Sequence, residues 1–180
     1  MTLEKVTPVL DGRIIKVNIE QVKLPNDHVA TLEIVHHPGG AAVVALDDSG
    51  RVCLVRQYRH AAGGYIWEFP AGKIDNQEPP LQTAQRELEE EAGCTAREWR
   101  SLGEYLSSPG FLTEVVYLFL ATGLTDVGHK LEESEVLEAH WLPFEQVMQM
   151  AHSGELRDGK SLAALLRASP YVQGLARGQP

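Results

Sequence analysis

The chain has 180 residues, 43% of them hydrophobic and 23% charged, which fits one globular domain with a short extension and excludes a disordered or collagen-like chain. Sixteen Lys and Arg stand against twenty-five Asp and Glu, and the net charge of −9 would repel a phosphate backbone, so no nucleic-acid partner is expected. No run is long and apolar enough to span a bilayer, MTLEKVTPVL has no signal-peptide core, and only Cys53 and Cys94 occur, so the expectation is a cytoplasmic protein without membrane partner, disulfide framework or thiolate metal site.

In chain order, RIIKVNIEQVKL and HVATLEIVHH alternate apolar and polar residues as strands do, and Pro25-Asn26-Asp27 and Pro38-Gly39-Gly40 punctuate them. AAVVALDDSGRVCLVRQYR predicts a hairpin around Asp47 to Gly50, its first arm apolar throughout like a buried strand. A short strand, YIWEFP, follows. The clearest helix opens at Pro79-Pro80, where missing amide donors do no harm, and closes at Gly93. Leu81, Ala84, Leu88 and Ala92 give it an apolar stripe. Strand patterns return in WRSLGEYL, EVVYLFLATG and VLEAHWLP, and helices are predicted from about Phe144 to His152 and from about Lys160 to Ala168. The organisation expected is an N-terminal strand extension over 1–38, a main domain over 39–170 with helices on the faces of a mixed sheet, and a frayed tail over 171–180.

One segment of the first helix, RELEEEAG from Arg86 to Gly93, crowds like charges at i, i+3 and i+4, which costs about 0.2–0.5 kcal/mol per repelling pair. A solvated face would mix in lysines, yet Arg86 is the only cation from Leu81 to Gly93, and Glu87 and Glu91 border the apolar stripe. Grouped carboxylates suit a hard divalent cation, because magnesium takes oxygen ligands and is commonly held by one or two carboxylates plus substrate phosphate.

The whole stretch GKIDNQEPPLQTAQRELEEEAGC resembles the Nudix box, with Gly72, Glu78, Arg86, Glu87, Leu88, Glu90, Glu91 and Gly93 at its specified positions and Cys94 where an aliphatic residue is usual. The resemblance implies an α/β/α sandwich on a mixed sheet, with the N-terminal antiparallel strands added to it. It implies that Glu87 and Glu91 are Mg2+ ligands with Glu90 a third contributor, Mn2+ being a possible substitute. Arg86 would orient the carboxylates and Ala71 would offer its carbonyl to a metal. Glu78 would tie the loop to the helix.

Three further stretches resemble the ADP-ribose pyrophosphatase branch of that family. SSPGFLTE places Pro109 and Gly110 before an acid, Glu114; the alternative is plain Pro-Gly turn chemistry. RQYR ends in Arg59, similar to the arginine that contacts a substrate phosphate in this branch, and Glu68 in WEFPAG is branch-like as well. In KLEESEVLEAHWLP, the resemblance makes Glu133 the general base, with Glu132 and Glu114 as competitors, and Glu135 an added metal ligand. The activity implied is Mg2+-dependent hydrolysis of a nucleoside diphosphate sugar, ADP-ribose first, by a homodimer joined through the N-terminal strands. GDP-mannose or another nucleotide sugar, a house-cleaning nucleoside triphosphatase and a non-catalytic ADP-ribose-binding module are the alternatives.

Overall fold

The computed structural model describes residues 2–128 and 137–176, with side chains as far as residue 172. The chain divides into two compact units, Met1–Gly39 with Leu106–Val115, and Gly40–Tyr105 with Val116–Pro180.

In the first unit, β1 (Thr2–Asp11), β2 (Lys16–Lys23) and β3 (Val29–His36) form an antiparallel sheet in chain order. Asp27, in the left-handed region at φ 64°, closes the turn between β2 and β3 with a Lys23 ion pair at 2.8 Å. Every residue of β1 is exposed, Leu3, Val6, Val9 and Leu10 included. The segment 106–115 is tied to β3 through the amides of Val35 and Thr113, which donate to the Phe111 and Val35 carbonyls at 2.7 and 2.9 Å.

The second unit carries β4 (Gly40–Ala45), β5 (Arg51–Arg59), β6 (Gly64–Glu68), β7 (Ala71–Lys73), α1 (Pro80–Ala92), β8 (Cys94–Leu106), β9 (Val115–Asp126), β10 (Leu137–Pro143), α2 (Phe144–Ser153) and α3 (Gly159–Ala176). The predicted turn at Asp47 to Gly50 forms, but its arms part after a single bridge between Leu46 and Val52. β4 joins the sheet β7-β4-β9-β8, parallel to β9, whereas β5 joins β10-β5-β6. Burial explains the parting. All six β4 residues are buried, as a strand covered on both faces requires, and the non-local β9 supplies its parallel partner.

Alternation along β4 then builds two layers. Ala42, Val44 and Leu46 point into a core with Leu54, Phe69, Phe144, Val147 and Leu165, which α2 and α3 cover. Val43 and Ala45 point the other way, into a core with Cys53, Leu88 and Ala92, which α1 covers. The fold is thus an α/β/α sandwich, built on the mixed sheet β7-β4-β9-β8 and the antiparallel sheet β10-β5-β6.

Helix α1 starts with Pro80 at its first position and ends at Gly93, whose φ of 66° favours glycine and whose N–H reaches the Leu88 carbonyl. Its buried face is wider than the predicted stripe and shifted at its start: Glu87 and Glu91 are buried with the apolar residues, Leu81 is exposed and Thr83 is fully buried. Thr83 can lie inside because its hydroxyl donates to Glu78 at 2.8 Å. Helix α3 runs on to Ala176, past the expected boundary at 170, although Pro170 lies within it. Continued burial of Ala168 and Val172 accounts for the extension.

Candidate active site

Glu87 and Glu91 follow one another on the buried side of α1, 5% and 1% exposed, and both face the short strand β7. The Ala71 amide donates to Glu91 Oε2 at 2.9 Å. Gly72 lies so close to the neighbouring carboxylate that a Cβ added to it would fall inside Glu87. The absence of a side chain at Gly72 is therefore what lets the Glu87 carboxylate lie against β7.

Arg86 ties the remaining acids together. Its Nη1 donates to Glu87 Oε1 at 2.6 Å and Glu90 Oε2 at 3.0 Å, while Nη2 donates to the Lys73 carbonyl and to Glu78 Oε1, each at 3.2 Å. Burial alone would lower the Arg86 pKa, but the Glu87 charge and the bonds to Glu78, Glu87 and Glu90 outweigh it and raise it. These are the contacts an orienting arginine would make.

The loop from β7 into α1 is equally constrained. Lys73 pairs with Asp75, Asn76 and Gln77 both adopt positive φ (48° and 60°), and the Glu78 amide donates back to the Asp75 carbonyl at 2.9 Å. Burial pushes the Glu78 carboxyl up, yet the hydrogen bonds from Thr83 and Arg86 hold it below the usual range.

Among the described residues, no three His, Cys, Asp or Glu side chains stand preassembled as a metal cluster. Instead the acids are held by Arg86 and the β7 amide. The donor set is nonetheless all oxygen, negatively charged and fixed against backbone, with the Gly72 cleft filled by Glu87. That chemistry fits a hard divalent cation and suits a soft one poorly.

A second constellation lies at the ends of β5 and β6. Glu68 has a side chain only 3% exposed, and it accepts Arg59 Nε at 2.9 Å, Arg59 Nη2 at 2.7 Å and Lys160 Nζ at 2.9 Å. Burial pushes the Glu68 carboxyl up, but the Arg59 bonds and the Lys160 charge overcome this and hold it below its ordinary value of 4.5. The unfolded chain therefore takes up the proton first, so Glu68 stabilises the fold above pH 4.5 and loses that contribution as pH falls through its lower folded value. We expect melting temperatures of the native chain to fall steeply below that pH and those of Glu68→Gln to fall less steeply. Equal slopes would remove Glu68 from the account.

Gln57 shares the Arg59 face of β5, and its Oε1 is buried without a partner among the described residues. A bound ligand could satisfy such an acceptor. Cys53 and Cys94 are buried. Burial, with help from Cys94 and Glu91, pushes the Cys53 thiol up to about 12 and leaves it unreactive.

The other residues singled out from sequence are distributed differently. Pro109, Gly110 and Glu114 belong to the first unit, where Glu114 binds Ser107 Oγ and sits 3.3 Å from His37 Nδ1. Glu132, Glu133 and Glu135 lie outside the described residues. Sequence reading missed Asp158, Lys160 and Ser161, although Asp three residues before Ser at a helix start is a capping pattern that was there to be read. Among the described residues no helix is long and apolar enough to cross a membrane.

Residues 36–165 match the NUDIX domain, and the chain belongs to the Nudix hydrolase family, whose members typically depend on a divalent metal. Among its relatives, the ADP-ribose pyrophosphatase of Mycobacterium tuberculosis is 37% identical over 94% of this chain and 83% of its own length. The GDP-mannose pyrophosphatase of Salmonella arizonae is also 37% identical, over 73% of this chain and 74% of its own. A crystal structure of an ADP compounds hydrolase superposes with a TM-score of 0.83 at 22% identity, covering 98% of this chain and 96% of that one, a likeness of fold. The protein is an enzyme of the pyrophosphatase kind, related to the branch that handles nucleoside diphosphate sugars.

Proposed function

We propose that this enzyme hydrolyses the pyrophosphate bond of a nucleoside diphosphate sugar, ADP-ribose first, releasing a nucleoside monophosphate and a sugar phosphate. The observation that carries the reading is the convergence of Glu87 and Glu91 on the β7 backbone, with Arg86 bridging Glu87 to Glu90. On this reading Glu87, Glu91, Glu90 and the Ala71 carbonyl hold Mg2+, with Mn2+ as a substitute, and Glu135 adds a ligand. Divalent ions bound there supply charge neutralisation for the diphosphate and an acidified water.

The chain's own residues do the rest. Arg86 keeps Glu87 and Glu90 spaced while the site is loaded and emptied. Arg59 contacts a phosphate: its Nε and Nη2 edge is spent on Glu68, its side chain is 41% exposed, and among the described residues its Nη1 has no hydrogen-bond partner. The proton of the attacking water goes to Glu133, an assignment that rests on sequence alone. Pro109, Gly110 and Glu114 contribute to substrate binding. The exposed apolar residues of β1, on a sheet edge, support a homodimer joined through the N-terminal strands.

A substrate panel with Mg2+ tests the reading: ADP-ribose, GDP-mannose, other nucleotide sugars, dinucleotides and triphosphates, followed by released monophosphate or pyrophosphate. ADP-ribose is expected to give the highest kcat/KM. Preference for GDP-mannose would move the assignment to another nucleotide sugar, and preference for triphosphates would overturn it. Binding of ADP-ribose without turnover would make the chain a sensing module.

A further inference from the structure

Helix α3 reaches the Arg59 pair from far along the chain. Its first turn is fastened to the end of β6 by a compact set of bonds: Asp158 Oδ2 accepts the Ser161 amide at 3.0 Å and the Ser161 hydroxyl at 2.6 Å, and the Ser161 oxygen accepts the Phe69 amide at 2.8 Å. Ser161 is fully buried. That set alone would cap the helix and dock it. Lys160 adds something the cap does not need, because its ammonium sits between Asp158 at 3.0 Å and Glu68 at 2.9 Å with only 17% of its side chain exposed.

Two consequences follow from charge and geometry. Glu68 Oε2 receives both Lys160 and Arg59 Nη2, so Lys160 fixes the carboxylate that in turn fixes the guanidinium by a two-point fork. Lys160 also balances the charge. Arg59, Glu68, Lys160 and Asp158 sum to neutrality, and without Lys160 the group would be net negative beside a site that must accept a diphosphate.

We propose that Lys160 is a positioning residue for substrate binding, acting through Glu68 to hold Arg59 aimed at, and available to, a phosphate of the nucleoside diphosphate. The inference rests on the reading of Arg59 as a phosphate contact. It makes the start of α3 part of the specificity machinery for anionic substrates.

A double-mutant cycle on the full-length chain, with ADP-ribose and Mg2+, tests it. Lys160→Met is expected to raise KM about ten-fold, the size of one charge-assisted hydrogen bond, while kcat stays within about three-fold. Lys160→Arg should recover most of the KM. In an Arg59→Ala background, which itself raises KM, Lys160→Met should add nothing further. If Lys160→Met does not fold, Lys160→Gln, which removes the charge and keeps a polar side chain, is expected to raise KM in the same way and to be silent in the Arg59→Ala background. Additive effects of the two sites on KM would overturn the role of Lys160 while leaving Arg59 in place. An unchanged KM for Arg59→Ala would instead overturn the reading beneath it, and the proposal with it.

Discussion

Glu91→Gln is expected to lower kcat/KM by about 100- to 1000-fold, the several kcal/mol that one charged ligand contributes to metal-assisted hydrolysis, with little change in melting temperature. The substitution is chosen because it isolates charge from shape. Glu91 is 1% exposed and accepts the Ala71 amide, and a glutamine oxygen can accept the same hydrogen bond in the same volume. What it cannot do is neutralise a divalent ion. The fold should tolerate the change, since losing one of several crowded acids relieves repulsion on α1. Steady-state kinetics with Mg2+ and thermal unfolding of the same preparation separate the two effects. Activity within a few-fold of the native enzyme would remove Glu91 from the metal site.

Gly72→Ala is expected to damage both activity and stability, for a reason that lies in backbone approach. A methyl group there would coincide with the Glu87 carboxylate, and Glu87 cannot swing clear without giving up its 2.6 Å bond from Arg86. Either β7 retreats from α1 or the carboxylate leaves its place. Overpacking of this kind costs about 1–3 kcal/mol, which should appear as a lower denaturation midpoint, and displacement of Glu87 should cost turnover beyond the loss of stability. A Gly72→Ala enzyme with native kinetics would show that the close approach has no functional role.

The parts of this fold that local chemistry decides were legible in the sequence. Pro79-Pro80 and Gly93 bound α1 because a missing amide donor and a left-handed cap act within one turn. The Asp47–Gly50 turn forms for the same reason, through Asp47 side-chain bonds to Ser49 and Arg51. What depended on distant partners was not legible. The arms of the expected hairpin separate because β9 offers β4 a parallel neighbour more than seventy residues away, and the exposure of Leu81 likewise depends on tertiary packing that the local sequence does not show.

The site divides along the same line. Glu87, Glu90, Glu91 and Arg86 could be found because they are spaced within one helix. Lys160 could not, because its bond to Glu68 joins residues 92 apart, and only the packed structure brings α3 onto the end of β6. Glu68 itself was singled out by resemblance, with no indication that it would be buried and shared by two cations.

The most direct measurement is a crystal structure of the enzyme soaked with Mg2+ and a non-hydrolysable nucleoside diphosphate sugar. Density for divalent ions is expected against the carboxylates of Glu87 and Glu91 and the carbonyl of Ala71, with the diphosphate bridging those ions to Arg59. Ions absent from α1 and a nucleotide bound elsewhere on the molecule would contradict it.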